Sequence, residues 1–366
     1  MMGSAAAADL ARSRGVEKVV LADSDLERAR KAARASRKIE AAQVDVSDGA
    51  AVRRLMYGVD GVLSAVPYFY NLPLTCAAID AGVHFCDLGG NSRLVDRQFA
   101  LRRRAQRARV GILPDCGLSP GLTSILVAEG VRRVGQPQAI RIRVGGLPQN
   151  PQPPLNYKLL FSVHGLLNEY LEPARIIRHG RMVAVESLTG LETIRFPGFG
   201  DLEAFYTSGG ASTLPDTYAG RVRELDEKTI RYPGHAEAFR LLFGLGFGRE
   251  PNRAVLAGAL QEKLALPGGD VLLLRVDVSG RAGRICYELI ERGTERLTAM
   301  MKTTAWPASI LLQMLVNGTI AQRGVLRLEE AVPGEAFLAE LARRGIHITA
   351  THHTGADVAM LAKLAS

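Results

Sequence analysis

Short apolar runs alternate with segments of helical spacing over the first third of the chain. Apolar residues at every second position, or in a short continuous run, are typical of strands, whereas three- and four-residue spacing is typical of helices. Strands separated by helices are predicted from five runs, at residues 16–23, 39–46, 61–66, 83–88 and 110–113. Because strands that alternate with helices form parallel, doubly wound sheets, we expect a Rossmann-type α/β domain over residues 1–118.

The pattern changes at Ile112–Gly121, whose sequence ILPDCGLSPG leads from a buried strand into a cluster of glycine and proline. Ser119 is placed to cap the following helix, with Pro120 in its first turn. Later segments predict longer strands at residues 140–145 (an edge or half-exposed strand), 157–163, 270–278 and 285–290. A hairpin turn is predicted at His179–Gly180, and one late helix is predicted to begin at Trp306. We expect a second, α+β domain with a mixed sheet over residues 119–305, followed by a C-terminal segment, 306–366.

Composition and charge narrow the classes of function. The 366 residues are 47% hydrophobic and 23% charged, which suits a globular protein with two substantial cores. Much of the net charge of +9 comes from arginines in segment 93–109. This segment has helical spacing and no interleaved aromatic side chains, so it favours a solvated helix face over a nucleic-acid site.

Three further features bear on compartment and metal binding. The four cysteines have no metal-ligand spacing, and no apolar run approaches the ~20 residues of a membrane helix. Asp9 interrupts the N-terminal alanine run, which therefore does not read as a signal peptide. We expect a soluble, cytoplasmic protein that binds no metal, no nucleic acid and no membrane.

A helix that opens on Gly3 and continues in small residues matches the end of a dinucleotide-binding fingerprint. That fingerprint is Gly-x-Gly-x-x-Gly after a strand, with an acidic residue about 20 positions further on. Asp23 ends the next predicted strand 20 positions after Gly3 (23 − 3 = 20), and the first strand and first two glycines would lie before Met1. Asp23 would bind ribose hydroxyls and repel a 2′-phosphate, which favours NAD over NADP. The alternative is that Asp23 caps a helix.

Two further strand ends are predicted on the same carboxyl edge of the sheet, where such folds bind their ligands. Asp45 and Val46 end the run 39–46 and are placed to frame an adenine. The small residues at the next strand end would let the backbone approach the ribose and phosphates of the cofactor; they are Ser64, Ala65, Val66 and Pro67. Plain strand-end packing is the alternative for both segments.

Several segments together resemble the saccharopine dehydrogenase-like family, most closely its lysine 6-dehydrogenase members. The matching segments are 64–68 (SAVPY), 86–90 (CDLGG), 114–121, 144–148 (VGGLP), 153–158 (PPLNYK), 205–210 (FYTSGG) and 232–235 (YPGH). Saccharopine reductases typically carry Asp where this chain has Ser119, and an arginine-containing segment where it has FYTSGG. The resemblance implies NAD-dependent amine oxidation of an amino-acid substrate, and a C-terminal segment that packs back on the nucleotide domain. The mixed sheet offers a surface for a homo-oligomer, which we also expect.

Amine oxidation requires a deprotonated amine, a carbon held against the nicotinamide in a dry pocket, and a water that hydrolyses the imine. We predict that Asp87 or Asp115 stabilises the charge of the amine and that Lys158 or Tyr68 transfers protons. We predict that Asn156, Tyr157 and His235 contact the substrate. Three of these residues have a purely structural alternative. Asp87 could cap a turn, Tyr68 could be an aromatic side chain at the edge of the core with its hydroxyl in water, and Lys158 could be a surface lysine.

The main hypothesis from the sequence is an NAD-dependent, lysine 6-dehydrogenase-like oxidoreductase that converts a terminal amine to an aldehyde, which then cyclises. The first alternative is a saccharopine reductase-like or carboxynorspermidine-type dehydrogenase, which couples an amine to an aldehyde reductively. The second is a nucleotide-binding protein without catalysis.

Overall fold

The structure is a computed structural model that describes residues 1–354 and divides into two compact units. Met1–Leu122 and Met301–Gly345 form the first unit. Thr123–Met300 and residues 346–354 form the second. Each unit is therefore built from two stretches of chain.

The elements up to residue 113 follow the predicted alternation of strands and helices. In chain order they are α1 (Met2–Arg12), β1 (Val19–Asp23), α2 (Leu26–Ala33), β2 (Ile39–Gln43), α3 (Gly49–Met56), β3 (Gly61–Ser64), a 3-10 helix (Tyr68–Tyr70), α4 (Asn71–Ala81), β4 (His84–Asp87), α5 (Ser92–Phe99), α6 (Arg102–Arg107) and β5 (Gly111–Leu113). Local caps explain several starts: Asp25 accepts from two amides at the start of α2, and Asp48 does the same at α3.

The elements that follow are longer and more varied. They are α7 (Leu122–Val134), β6 (Pro137–Pro148), α8 (Val163–Leu171), β7 (Ala174–Arg178), β8 (Arg181–Val185), β9 (Glu192–Ile194), β10 (Leu202–Tyr206), α9 (Leu214–Tyr218), β11 (Glu224–Arg231), α10 (His235–Gly244), α11 (Asn252–Lys263), β12 (Asp270–Gly280) and β13 (Gly283–Arg292). The last are α12 (Ala299–Val316), β14 (Gly324–Val325), α13 (Leu328–Ala331), α14 (Gly334–Arg343) and β15 (Thr349–Thr354).

The first unit contains two parallel ladders. One has the order β14-β5-β4-β3, and the other pairs β1 with β2. Within residues 1–354, β1 and β3 each pair along one edge only. In the doubly wound order 3-2-1-4-5-6, the position between them belongs to the first strand of the fingerprint. Because β1 and β3 each lack a neighbour on one edge, their residues are mostly half-buried, whereas β5 is buried throughout.

The second unit is built on a nine-stranded mixed sheet. Its strands run in the order β15-β13-β12-β6-β11-β10-β9, and the hairpin β7–β8 attaches to β11. The turn of that hairpin is His179–Gly180, as predicted. The parallel α/β unit and the mixed-sheet unit together confirm the predicted fold class.

Four local predictions are wrong. Residues 157–162 form a loop that leads into α8, because the apolar residues of this stretch pack into a helical core instead of a sheet. The 140–145 stretch belongs to β6, which is paired on both sides and is not an edge strand. The late helix begins at Ala299, so Pro307 lies inside it. Ser119 and Pro120 lie in a turn, and α7 begins only at Leu122, whose amide bonds to the Gly117 carbonyl at 2.9 Å.

None of the helices formed by residues 1–354 combines the length and the apolar character that crossing a membrane requires.

Candidate functional site

The first unit brings Asp87 and Asp115 together at the carboxyl ends of β4 and β5. Asp87 is fully buried, and its carboxylate accepts three hydrogen bonds. Oδ2 accepts from Gln98 Nε2 at 2.7 Å, and Oδ1 accepts from the amides of Gly89 at 2.8 Å and Asp115 at 3.2 Å. Burial raises the pKa of Asp87, and these donors oppose the rise. Asp87 is thus the anchor of this turn.

Asp115 lies against Gly89 and is 3% exposed. Its backbone is left-handed, with φ 63°. A Cβ on Gly89 would lie 1.9 Å from Asp115 Oδ1, so only glycine allows this approach. We call Asp87–Gly90 together with Asp115 the carboxylate turn. It holds a second buried carboxyl group beside a strand end.

Tyr68 and Cys116 border the carboxylate turn in different ways. Tyr68 is half-buried and opens the 3-10 helix, and a Cβ on Gly90 would lie 3.2 Å from the Tyr68 Cβ. The amide of Cys116 donates to the Asp87 carbonyl at 2.7 Å, while its thiol is fully buried. Burial raises the pKa of that thiol, so Cys116 is a neutral packing residue and not a thiolate nucleophile.

The positions predicted for the cofactor lie in the same unit. Gly3 is in the first turn of α1, and a Cβ there would lie 3.4 Å from the Ala65 Cβ, so the helix and the end of β3 are close-packed. Asp23 ends β1 with its side chain 35% exposed. Asp25, and not Asp23, caps α2 through hydrogen bonds from Glu27 and Arg28. Asp23 accepts from the Asp25 amide at 3.0 Å.

The other residues predicted to bind the cofactor at strand ends differ in position and in burial. Because β2 ends at Gln43, Asp45 and Val46 lie in the turn beyond it and do not end the strand as predicted. Asp45 is exposed, and hydrogen bonds from the Ser47 hydroxyl and amide lower its pKa. Ser64 ends β3 and donates to Asn71 Oδ1 at 2.8 Å, while Val66 is half-buried and Pro67 is exposed.

In the second unit, Tyr157 and His235 are brought together around Arg231. The rings of Tyr157 and His235 meet edge to face with centroids 5.2 Å apart, and the Arg231 guanidinium carbon lies 4.6 Å from the centre of the Tyr157 ring. Arg231 Nε donates to the Tyr170 hydroxyl at 3.0 Å, which lies 3.0 Å from His235 Nε2. With Glu169, next to Tyr170 on α8, these five residues form what we call the arginine cluster.

Asn156 and Lys158 flank Tyr157 in sequence, but each bonds to a backbone carbonyl outside the arginine cluster. Asn156 is half-buried with φ 48°, and its amide donates to the Gln152 carbonyl at 2.9 Å. Lys158 is 8% exposed, and its Nζ donates to the Gly268 carbonyl at 2.5 Å. The surface role considered for Lys158 is therefore wrong, whereas its role in proton transfer stays a prediction.

Sequence reasoning missed Glu169, Tyr170, Arg231 and the nearby Glu227. Arg231 directly precedes the YPGH segment, so a lone charged residue between Ile230 and Tyr232 was an available signal. Glu169 lies in the helix segment LLNEYL, and no motif or spacing in the sequence marks it as a site residue. Burial raises the pKa of Glu169 to about 7 and that of Glu227 to about 8. Shifts of this size in a cluster of buried polar groups are typical of functional sites.

Comparison with known proteins agrees with both units. Residues 1–113 match the family model of the saccharopine dehydrogenase NADP binding domain, and residues 117–346 match that of the saccharopine dehydrogenase C-terminal domain. In structure, the chain is similar to an apo saccharopine dehydrogenase (L-Glu forming) from Saccharomyces cerevisiae. The TM-score is 0.78 at 18% identity, covering 97% of this chain and 98% of that one.

Among curated proteins, the saccharopine dehydrogenase (NADP(+), L-glutamate-forming) of Schizosaccharomyces pombe is 26% identical over 245 residues, or 63% of this chain and 52% of that protein. The mitochondrial alpha-aminoadipic semialdehyde synthase of Rattus norvegicus is 27% identical over 209 residues, or 53% of this chain and 22% of that protein. The chain spans about half the length of the first of these relatives. Since the two family models together match nearly all of residues 1–346, this chain belongs to the saccharopine dehydrogenase family.

Proposed function

We propose that this chain is a nicotinamide dinucleotide-dependent oxidoreductase that acts on an amine-bearing carbon of an amino acid, and that its substrate is L-lysine, oxidised at the 6-amino group. The observation that carries the choice of lysine is the segment Phe205–Gly210, in which Thr207 and Ser208 are buried and neutral. Thr207 Oγ1 is bonded to Thr229 Oγ1 at 2.8 Å. Saccharopine reductases typically carry an arginine in this segment.

The two candidate substrates, saccharopine and lysine, differ in the number of carboxylates that the protein would have to neutralise. Saccharopine has three carboxylates, and lysine has one. A buried site needs a cationic or hydrogen-bonding partner for each carboxylate that it removes from water. The arginine cluster contains one guanidinium, that of Arg231, and the Phe205–Gly210 segment adds none. This charge count favours a substrate with a single carboxylate.

Residues of the first unit could bind the dinucleotide and stabilise the charge of the reacting amine. Gly3 and Ala65 allow close backbone approach, and Asp23 presents a part-exposed carboxylate for ribose hydroxyls. A bound nicotinamide would accept a hydride from the carbon that bears the amine. Asp115 would stabilise the positive charge that develops on nitrogen, while Asp87, whose oxygens are engaged by three protein donors, positions Asp115. Tyr68, at the border of the carboxylate turn, would relay the amine proton, its hydroxyl oxygen receiving that proton as its own hydrogen passes to water.

For the cofactor we propose NAD, on the charge of Asp23. Two observations favour NADP: the matching family model and the curated fungal saccharopine dehydrogenases carry NADP in their names, and Arg28 Nη2 lies 3.9 Å from Asp23 Oδ2. A 2′-phosphate at the ribose would meet the carboxylate of Asp23 first, with the cap carboxylate of Asp25 two residues further on. Like charges at this distance repel, which supports NAD.

Asp23→Ala is expected to reduce the preference for NAD over NADP by about tenfold or more, because one repelling charge and one ribose acceptor are lost together. Calorimetric titration of both dinucleotides into the wild-type protein and the variant measures the change. Asp25→Asn is the control, since asparagine can still cap α2. Tighter binding of NADP than of NAD by the wild type would contradict the assignment.

L-lysine is expected to support NADH formation, followed at 340 nm, whereas saccharopine is not. Asp115→Asn should lower kcat by about 10²-fold or more without unfolding the protein, because the variant cannot neutralise the iminium charge. Asp80→Asn, at an exposed pair with Arg104, is the control for a general loss of charge. The relatives named as saccharopine dehydrogenases favour the second candidate, a saccharopine reductase-like enzyme. Faster oxidation of saccharopine than of lysine would establish that candidate and exclude lysine.

A further inference from the structure

A cleft of about 530 Å³ opens at one end of the mixed sheet, beside the start of β6. The first residues of β6 have the start of β11 on one side and the end of β12 on the other. The Arg223 amide donates to the Gln138 carbonyl at 2.8 Å, and the Arg281 amide donates to the Gln136 carbonyl at 3.2 Å. The residues that line the cleft are Gly135, Gln136, Pro137, Gln138, Arg221 and Arg281. Two loops, one on each side of β6, thus each contribute an arginine to this cleft.

The two arginines that line the cleft have no counter-charge. Arg221 and Arg281 are exposed, and neither forms an ion pair or a side-chain hydrogen bond with any of residues 1–354. The guanidinium carbon of Arg221 lies 5.4 Å from the centre of the Tyr218 ring, and this tyrosine is 3% exposed. A cation over the face of an aromatic ring is attracted by the electrons of that ring. Arg221 is therefore held at the edge of the cleft before any ligand binds.

Three more exposed arginines lie at the same end of the sheet. The Gly180 amide donates to the Arg223 carbonyl at 2.9 Å, which places the turn of the β7–β8 hairpin against the loop before β11. Arg178 and Arg181 pair across this turn, so their side chains lie on the same face of the hairpin. Like Arg223, they form no ion pair in the described part of the chain. We call Arg178, Arg181, Arg221, Arg223 and Arg281 the arginine rim.

The arginine rim concentrates positive charge at this end of the sheet. Segments 135–138, 178–181, 220–224 and 280–283 carry a formal charge of +4, from five arginines less one glutamate. That glutamate, Glu224, accepts from the His179 amide at 3.2 Å and lies 3.5 Å from the Nδ1 atom of the same histidine. A cleft lined by charges of one sign attracts counter-ions. Because neighbouring guanidinium groups repel each other, an anion between them would also remove that repulsion.

We propose that this cleft binds a small anion with several phosphate groups, held between the guanidinium groups of Arg221 and Arg281. A planar guanidinium donates two parallel hydrogen bonds to a phosphate group. The side-chain amides of Gln136 and Gln138 are exposed and bond to no other described residue, so they can donate as well. The volume of about 530 Å³ is in the range of small-molecule sites. The surplus of positive charge favours a polyphosphate over a singly charged anion.

This site is separate from the arginine cluster and does not depend on the proposed function. Arg231 ends β11, whereas the arginine rim lies at the start of that strand. The eight residues of β11 span roughly 25 Å. A bound polyphosphate would therefore leave the arginine cluster free, and it would connect the loops on the two sides of β6.

Calorimetric titration of magnesium-free tripolyphosphate into the full chain at low salt tests the proposal. The wild type is expected to bind, and Arg221→Gln/Arg281→Gln should weaken the affinity by about 10²-fold, because two charged donors are lost together. The matched control is Arg103→Gln/Arg107→Gln, which removes the same charge from two arginines of α6 that also lack an ion pair. It should change the affinity by less than about threefold, since the cleft stays intact. No binding by the wild type, or equal losses in the two variants, would overturn the assignment.

Three further ligands identify the chemistry that the cleft selects. Equal affinity for ATP and tripolyphosphate would uphold the proposal with the phosphate chain as the whole ligand, and tighter binding of ATP that needs Arg221 and Arg281 would uphold it with a nucleotide. Citrate, an anion of similar charge without phosphate, is expected to bind at least about tenfold more weakly than tripolyphosphate. Equal binding of citrate would refute the choice of phosphate. Binding of single-stranded RNA through Arg221 and Arg281, without binding of tripolyphosphate, would refute a small ligand.

Discussion

Glu227→Gln is expected to stabilise the protein progressively more as the pH rises from 5 to about 8, and to keep that advantage at pH 9. Glu227 lies on β11, is 3% exposed, and accepts from the Thr207 hydroxyl at 3.3 Å. Burial, reinforced by the charge of Glu169 and opposed by Arg143, raises its pKa from 4.5 to about 8. The folded protein thus holds a proton on Glu227 that the unfolded chain releases near pH 4.5.

The sign follows from proton linkage. A group whose pKa is raised on folding contributes full stability below its unfolded pKa and loses that contribution as the pH rises to the folded pKa. For Glu227 this window runs from 4.5 to about 8. A difference of about 3.5 (8 − 4.5) corresponds to roughly 5 kcal/mol at full extent. Glutamine resembles the protonated acid at every pH, so the variant escapes this loss.

Urea unfolding of the wild type and Glu227→Gln at intervals between pH 5 and 9 measures the effect. We expect the difference in unfolding free energy to be about 1 kcal/mol at pH 5 and about 3 kcal/mol or more in favour of the variant at pH 9. Glu224→Gln, on the same strand with a side chain 34% exposed, gives the baseline. A difference that stays constant over this range would show that Glu227 does not hold a proton in the folded state.

Gly121→Ala is expected to destabilise the protein by about 3 kcal/mol or more. Gly121 closes the turn before α7 and has φ +133°, a conformation that residues with a Cβ rarely adopt. An added Cβ would lie 2.1 Å from the Gly117 carbonyl oxygen and 2.6 Å from the Gly117 nitrogen. These are backbone atoms that cannot rotate away, and the same carbonyl accepts the Leu122 amide. Backbone strain and steric overlap therefore add at one residue.

Gly135→Ala separates these two contributions. Gly135 also has a positive φ, +73°, but an added Cβ would meet no atom within 4 Å. We expect this variant to lose only about 1 to 2 kcal/mol, the cost of the left-handed conformation alone. Thermal and urea unfolding of both variants check the comparison. Similar losses in the two variants would show that the turn at Gly117–Gly121 relaxes around the new methyl group.

The sequence by itself determined the order of elements in the first unit, because short-range patterns decide where strands and helices form. Apolar runs specified β1 to β5, and a local cap fixes the start of α2, although it is Asp25 and not the proposed Asp23 that accepts the amides of Glu27 and Arg28. It also placed Asp87 and Asp115 at neighbouring strand ends. Parallel strands share one carboxyl edge, so the two residues lie close together, and the Asp115 amide donates to Asp87 Oδ1.

Tertiary structure alone decided the burial of charge in the second unit. Arg143 lies on a central strand, although its run predicted a half-exposed one. Glu192 and Asp226, 49 and 83 positions away, neutralise it there. Residues 157–162 form a loop because Tyr157 packs on Arg231 and His235 instead of a neighbouring strand. Arg231 and Tyr170 are 61 positions apart, and only the packing of α8 near the end of β11 joins them. Local periodicity carries no information about such partners, since their spacing along the chain is set by the topology of the sheet.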